Sequence, residues 1–535
     1  MSKFFMYHLY ISVMVITGLD LSAQNKTITG TVRDAVTLQP VIGNSISLLG
    51  STRGTTGNSD GKFILAIPSY IASSGRIAVS SLGYASDTIQ ISSSKNHFDI
   101  LLRPMAGALG DVVVTGVSKA TLIRENPVPV SVVSTKKIEQ SAENNIIDVF
   151  AKNVPGLNAV KTGPNISKPF IRGLGYNRVL TLYDGVRQEG QQWGDEHGLE
   201  VDAFNIEKGE VIKGPSSLIY GSDAMAGVVS LLPAMPQHTD KKVRGKYFSE
   251  YQTNNGLYGN GLRLTYGGSS WSMALRGSYR IAKNYTNSID GRVYNTGFRE
   301  TNASASIKHI GDKGSSVLNF TIYDNLQGVP DGSRDSLTRK FTKQIFEGNA
   351  DDVTNRPVVS QQELNSYKLS PLHQHIQHYR LYTNNHYQLG KGDIDFLLGV
   401  QQNVRREYNH PTAPQQPGMY IRLNTMNYAL SYNAPTISNI DFTVGLNGMY
   451  QNDKNKSATD FPIPDYHLFD AGGYIHAKWK QKNWTVSGGL RADTRILSGG
   501  DFYTKKNAST GFDQQIFPPD TAGAYLHFLN FRKNF

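Results

Sequence analysis

From Val243 onward, apolar and polar residues alternate with a period of two. Trp271, Met273, Leu275, Tyr279 and Ile281 are interleaved with Ser272, Ala274, Arg276, Ser278 and Arg280. Ile394, Phe396, Leu398 and Val400 alternate with Asp393, Asp395, Leu397 and Gly399, with Leu397 the one exception. Ile440, Phe442, Val444 and Leu446 face away from Asp441, Thr443, Gly445 and Asn447, and Trp484, Val486 and Leu490 repeat the pattern against Thr485, Ser487 and Arg491. Successive side chains of a strand point to opposite faces, so each run predicts a strand with one apolar and one polar side. A soluble sandwich hides the apolar face inside, whereas a membrane barrel turns it to lipid. The polar stretch Asp331 to Tyr367 then reads as a long extracellular loop.

Upstream the pattern is different. Ile28 to Ile91 alternates strongly and is cut by turns: Ile28–Val32 is one strand, Ser59-Asp60-Gly61 turns into Phe63–Ile67, and Ile77–Ser80 follows. That spacing predicts a small β-sandwich. Asp111-Val112-Val113-Val114-Thr115-Gly116 favours an extended strand with open backbone edges, suited to pairing with a partner's sheet. Ser141 to Phe150, ahead of Pro155-Gly156, predicts a short amphipathic helix with Ser141 as its cap. Val179–Tyr183 is a strand ended by the Asp184-Gly185 turn, and Ile206–Lys213 is a strand stopped by Gly214-Pro215. Ser216 to Tyr220 suits a helical turn capped by Gly221. At the N-terminus, Lys3, the apolar Tyr10–Gly18 and the small-residue site Leu21-Ser22-Ala23 read as a secretory signal, too short to span a bilayer.

The segment Phe170 to Leu232 resembles the plug domain of TonB-dependent outer-membrane receptors. Ile171-Arg172-Gly173, Tyr183-Asp184-Gly185-Val186 and Glu207-Lys208-Gly209-Glu210-Val211-Ile212-Lys213-Gly214-Pro215 fall in family order, followed by Tyr220-Gly221. The N-terminal sandwich resembles the carboxypeptidase-regulatory-like domain that precedes the plug in Bacteroidetes-type receptors. The resemblance implies that Val112, Val113, Val114 and Thr115 form the energy-coupling box, and that TonB, the inner-membrane energy transducer, is a partner. It implies a mainly β chain with five parts: a signal peptide at 1–23, the sandwich at 24–103, a linker with the coupling box at 104–121, an α+β plug at 122–236, and part of a 22-stranded antiparallel transmembrane β-barrel at 237–535. Roughly a dozen candidate strands follow residue 243. A plugged lumen belongs to barrels of about 22 strands, so the chain is expected to end mid-barrel.

Composition changes this picture only at its margins. No run of about 18 apolar residues follows the N-terminus, which argues against helical membrane spans. With Cys 0 there is no disulfide, thiolate metal site or cysteine nucleophile. The net charge of +11 is not gathered into a tract, so no nucleic-acid partner is expected. No nucleophile–base pair, phosphate loop or carboxylate dyad suggests an enzyme, and no cofactor is called for.

Two stretches offer ligands. Arg187 to Glu200 is a glycine-rich loop carrying Trp193, Asp195, Glu196, His197 and Glu200, a set of hard oxygens and one imidazole suited to a metal or polar substrate. The neighbours Glu196 and His197 need a bend to converge on one ion. In His373 to Leu389, His373 and His375 share one strand face, while His378 and His386 share the other with Arg380, Asn384 and Gln388. Glu196, His197, His378 and His386 are therefore candidate metal ligands. The resemblance implies import of a small molecule or metal chelate, with metal, haem or siderophore favoured over oligosaccharide or cobalamin. The rival is a non-transporting surface adhesin, which needs no plug.

Overall fold

The computed structural model describes residues 25–35, 38–49, 51, 53–71, 75–81, 84–92, 94–104, 112–113, 121–122, 128–191, 193–214, 217–235, 241–347, 355–481 and 484–535. The expected signal segment 1–23, together with Val114, Thr115 and Pro215, lies outside these. The chain divides into two compact units at Asp111/Val112.

In the first unit the alternating runs become two four-stranded sheets. Asn25–Asp34 lies between Lys62–Pro68 (antiparallel) and His97–Pro104 (parallel), with Tyr84–Ala85 at the far edge. Ser45–Leu48 and Arg76–Ser80 form the centre of the other sheet, flanked by Gly54–Thr56 and Asp87–Gln90. Ile28, Val32, Phe63, Leu65 and Ile67 of one sheet share a core with Ile46, Leu48, Ile77 and Val79 of the other. The predicted sandwich is present.

The second unit opens on Val112–Val113, which pairs antiparallel with Thr121–Leu122. The sequence reads this segment as having open edges; one of them is taken by the chain itself. A five-stranded sheet follows, in the order Val130–Val133, Ile206–Lys213, Gly227–Pro233, Val179–Tyr183, Val186–Arg187. Asp184 and Gly185 have φ of 51° and 86°, the double left-handed conformation of a tight hairpin turn. The predicted helix is displaced. It runs Ile146–Asn153, capped by Asn145, whose Oδ1 accepts from the Ile147 amide at 2.9 Å. Ser141 instead closes a local turn, its Oγ accepting from the Glu143 amide at 3.3 Å. Asparagine caps as well as serine, and Asn145 also reaches the Asn165 carbonyl at 3.3 Å, a tertiary contact that the helix period does not encode. The later start turns Ile146, Ile147, Val149 and Phe150 into one core with Ile171, Val211, Val229 and Leu231.

Around this lies a sheet of twelve strands, each antiparallel to the next, from Val243–Gln252 to Trp484–Gly499 and then Phe531–Asn534. Its polarity is inverted relative to a soluble protein. Trp271, Met273, Leu275, Phe396, Leu398, Val400, Phe442, Val444, Leu446, Val486 and Leu490 are exposed, whereas Ser272, Arg276, Ser278, Gln401, Asn403 and Arg405 are buried. Such an apolar outer band is stable only against lipid. Among the described residues no helix is long and apolar enough to cross a membrane. Leu397, the exception to the alternation, faces inward and packs on the core of the five-stranded domain, as does Tyr382.

Strands from Phe298 to Gly499 run 14 to 17 residues. A bilayer needs about 9–11, so the excess projects beyond it. On Gly392–Tyr408 the outward apolar residues stop at Val400, and Arg405 and Glu407 follow at the end that leads into the longer loops.

Candidate functional site

The loop after the Asp184-Gly185 hairpin is held to the body of its domain by backbone bonds. The Gln188 amide donates to Thr181 O at 2.9 Å, and the Leu199 amide donates to Ser167 O at 3.2 Å. Between them the chain bends. The His197 amide donates to Gly194 O at 3.2 Å, and a Cβ on Gly194 would lie 2.8 Å from the His197 ring. Only glycine lets the backbone approach the imidazole so closely. The His197 Nδ1 lies 2.5 Å from the Gln191 carbonyl oxygen, which fixes the proton on that nitrogen. Nε2 then points at Glu407 Oε1, 3.0 Å away on the surrounding wall, and at Glu196 Oε1, 3.5 Å away. Burial and the charge of Arg405 pull His197 below its ordinary imidazole range. Trp193 sits edge-on to His197 with ring centres 4.7 Å apart, itself partly open to solvent. Asp195 accepts from the Tyr176 hydroxyl at 2.5 Å, and Lys168, pulled down to about 8 by burial, donates to Gly194 O.

Glu200 is buried against the wall. Arg405 Nη2 lies 2.6 Å from its Oε1, while Asn403 donates to Oε2 at 2.9 Å and His378 Nδ1 is 3.3 Å away. Gln191 donates to Asn403 at 2.9 Å. A second charged junction lies elsewhere on the same interface: Arg187 pairs with Asp223 and Glu189, and Asp223 accepts from Arg495, which also holds Asp470. Between domain and wall, Tyr183, Asp202, Asn205, Tyr323, His378 and Arg380 line a polar cavity of about 20 Å³, room for a water and not for a solute.

Residues 123–228 match the TonB-dependent receptor plug domain, and residues 28–114 match the CarboxypepD_reg-like domain. The chain thus carries the plug domain of the TonB-dependent receptors behind a CarboxypepD_reg-like domain. These are non-enzymatic outer-membrane β-barrel proteins. The chain is 36% identical over 133 residues to an iron-regulated outer membrane virulence protein of Vibrio cholerae, covering 24% of this chain and 20% of the relative. It is 34% identical over 134 residues to the vitamin B12 transporter BtuB of Vibrio vulnificus, covering 25% and 22%. It therefore spans about a fifth of the length of these curated relatives. Among solved structures, the copper transporter OprC shares the fold with a TM-score of 0.54 at 12% identity, over 76% of this chain and 59% of that one. The FrpB iron transporter of Neisseria meningitidis gives 0.54 at 15%, over 72% and 60%.

Among the plug's motif residues, the Asp184-Gly185 turn and the Tyr220-Gly221 end meet the wall, whereas Arg172 and Lys213 make contacts within the plug. Asp184 Oδ2 accepts from the Tyr382 hydroxyl at 2.9 Å, its carbonyl accepts from Asn384 at 2.8 Å, and a Cβ on Gly185 would meet Leu397 at 3.1 Å. Arg172 and Gly173 form a left-handed turn, with the Arg172 amide donating to Gly156 O at 3.1 Å. Lys213 donates to Pro155 O at 3.2 Å, and Gly214 has φ of 133°. The short helix Ser217–Tyr220 ends at Gly221, φ 90°, where Arg491 and Asn447 of the wall donate to Ile219 O at 3.1 and 2.7 Å.

Of the candidate metal ligands, Glu196 and His197 converge as the bend requires, joined by Glu407. The two barrel histidines stand apart from them and from each other. His378 contacts Glu200 and Gln401, whereas His386 pairs with Asp395 at 2.7 Å. They share a face, as parity dictates, but eight residues of strand separate them by about 27 Å. Glu407, Arg405 and Asn403 escape a reading by motif. Parity places all three on the polar face, yet which plug residue each meets is set by a chain separation of about 200 residues.

Proposed function

We propose that this receptor imports a metal-bearing solute, a metal ion or metal chelate, from the long-loop side of the outer membrane, with energy delivered through TonB at Val112–Thr115. The observation that carries the reading is the apical loop of the plug, whose His197 and Glu196 meet Glu407 of the wall. Solute entering from that side meets this loop first. The curated relatives support the cargo class: beside the vitamin B12 transporter stands a hemin receptor of Yersinia enterocolitica, 34% identical over 120 residues, which cover 22% of this chain and 17% of that relative. Vitamin B12 and hemin have a metal centre in common. Ion pairs between plug and wall hold the path shut until the plug is pulled.

The test is uptake. Cells lacking the native gene are compared with the parent for accumulation of labelled iron, zinc, hemin and cobalamin, with and without a collapsed proton gradient. Gene-dependent, gradient-dependent accumulation of at least one is expected. Equal accumulation of all four in both strains overturns the proposal.

A further inference from the structure

We propose that Glu196, His197 and Glu407 together hold one divalent first-row transition-metal ion directly, bridging plug and barrel wall. The inference rests on the importer reading above and deepens it by naming the bare ion, rather than only its chelates, as what this site takes.

The first argument is the arrangement of lone pairs. The Gln191 carbonyl, 2.5 Å from His197 Nδ1, keeps the ring proton on that nitrogen, so Nε2 presents a lone pair. That lone pair faces carboxylate oxygens of Glu407 at 3.0 Å and Glu196 at 3.5 Å. Three electron-rich atoms face one another there, one of them, Glu407 Oε1, also accepting from Gln374 at 2.8 Å, and a cation placed among them is attracted by all three. A proton on Nε2 serves one carboxylate at a time; a metal ion serves all three groups.

The second argument is size. Imidazole and carboxylate bind such ions at about 2.1 Å, which sets neighbouring ligand atoms about 3.0 Å apart in octahedral and 3.4 Å apart in tetrahedral geometry. The distances from Nε2, 3.0 and 3.5 Å, are of the size that ligands of one ion keep, and all three atoms lie within 4.8 Å of one another. Ligand type points the same way: one imidazole and two carboxylates suit zinc, iron, manganese or cobalt, and with no cysteine in the chain no thiolate competes. Three protein ligands leave coordination positions open, which suits an ion that must be released, whereas a structural site is closed by four.

Two ligands come from the plug and one from the wall, so the site exists only while the plug is docked. Gln374 connects it to the buried ion pair, donating to Glu407 Oε1 at 2.8 Å and accepting from Arg405 at 3.2 Å. An ion that claims Glu407 displaces this bridge beside the Arg405–Glu200 contact.

The experiment uses the full chain purified in detergent, titrated with zinc by calorimetry and with cobalt(II) by visible absorption. One equivalent is expected to bind. His197→Ala and Glu407→Gln should each weaken binding by at least about tenfold. Glu196→Gln, at a partly exposed side chain whose change leaves folding intact, should weaken it and alter the cobalt spectrum. His386→Ala, which removes a histidine paired elsewhere, should change neither. Unchanged affinity in Glu196→Gln, or an equal loss in His386→Ala, overturns the site. Because binding is read on the purified chain, a negative uptake result bears on the importer reading and not on this measurement.

Discussion

Glu200 is a carboxylate with almost no access to water, and it is tolerated because Arg405, Asn403 and His378 all turn toward it. A buried pair of this kind adds little net stability over apolar packing, but breaking it is costly because one charge is left stranded. Arg405→Met should therefore loosen plug docking by about 3–5 kcal/mol, read as faster hydrogen exchange of residues 179–213 in the detergent-solubilised chain. The double variant with Glu200→Gln should recover much of the loss; additive losses would show that the pair is not coupled. Asp184 makes a different demand. Burial pushes it up to about 6, only partly offset by the Tyr382 hydroxyl bond. Its docked form thus binds a proton that the undocked form, with its ordinary lower value, gives up. Docking carries no penalty below about pH 4 and loses stability as pH rises through 6. Asp184→Asn should remove that slope and tighten docking at pH 8 by on the order of 2–3 kcal/mol, with no effect at pH 4. Equal exchange rates for variant and parent at pH 8 would refute the assignment.

Elements show where local pattern suffices. The Asp184-Gly185 hairpin forms as its residues require, since few side chains accept the left-handed conformation. The helix starting at Ile146 does not, because Ser141 and Asn145 are equivalent caps until the Asn165 carbonyl selects one. Val112–Val113 lies between these cases: the valines dictate an extended backbone, but pairing with Thr121–Leu122 is a property of the folded chain. If this strand is the one TonB grips, Val113→Pro should abolish uptake while surface expression stays at the parental level, because proline cannot donate to an added strand. Normal uptake in that variant would place the grip elsewhere.

At the scale of the whole molecule, an inside-out sheet of twelve strands packs against a domain that is itself conventionally packed, and the interface between them is largely polar, with Tyr382 and Leu397 as apolar contacts. That interface suits a plug that must leave: hydrogen bonds can be exchanged for water one at a time, whereas an apolar seal exposes its whole area at once. If movement of the plug is required, tying it to the wall should stop transport without stopping binding. Asn205 Nδ2 lies 3.3 Å from Ser304 Oγ, and the absence of native cysteine gives a clean background. In Asn205→Cys with Ser304→Cys, a short bifunctional thiol reagent should block uptake, and the reduced protein should transport normally. Transport persisting in the cross-linked receptor would mean that the path opens without displacing this part of the plug.

The sequence by itself determined the sandwich, the plug strands and turns, and the inverted faces of the barrel, because each follows from near-neighbour rules: period-two alternation and the few residues that accept a left-handed turn. It also marked Glu196, His197 and Glu200 as unusual, since polar ligands clustered in a glycine-rich loop are visible without a partner. What Glu200 meets, and which wall residue completes the pair Glu196 and His197, were decided only by tertiary structure. Those contacts join residues about 200 positions apart, and their register depends on how twelve strands stack around the plug. Alternation tells a residue which face it occupies; only the packing of plug against wall tells it what stands opposite.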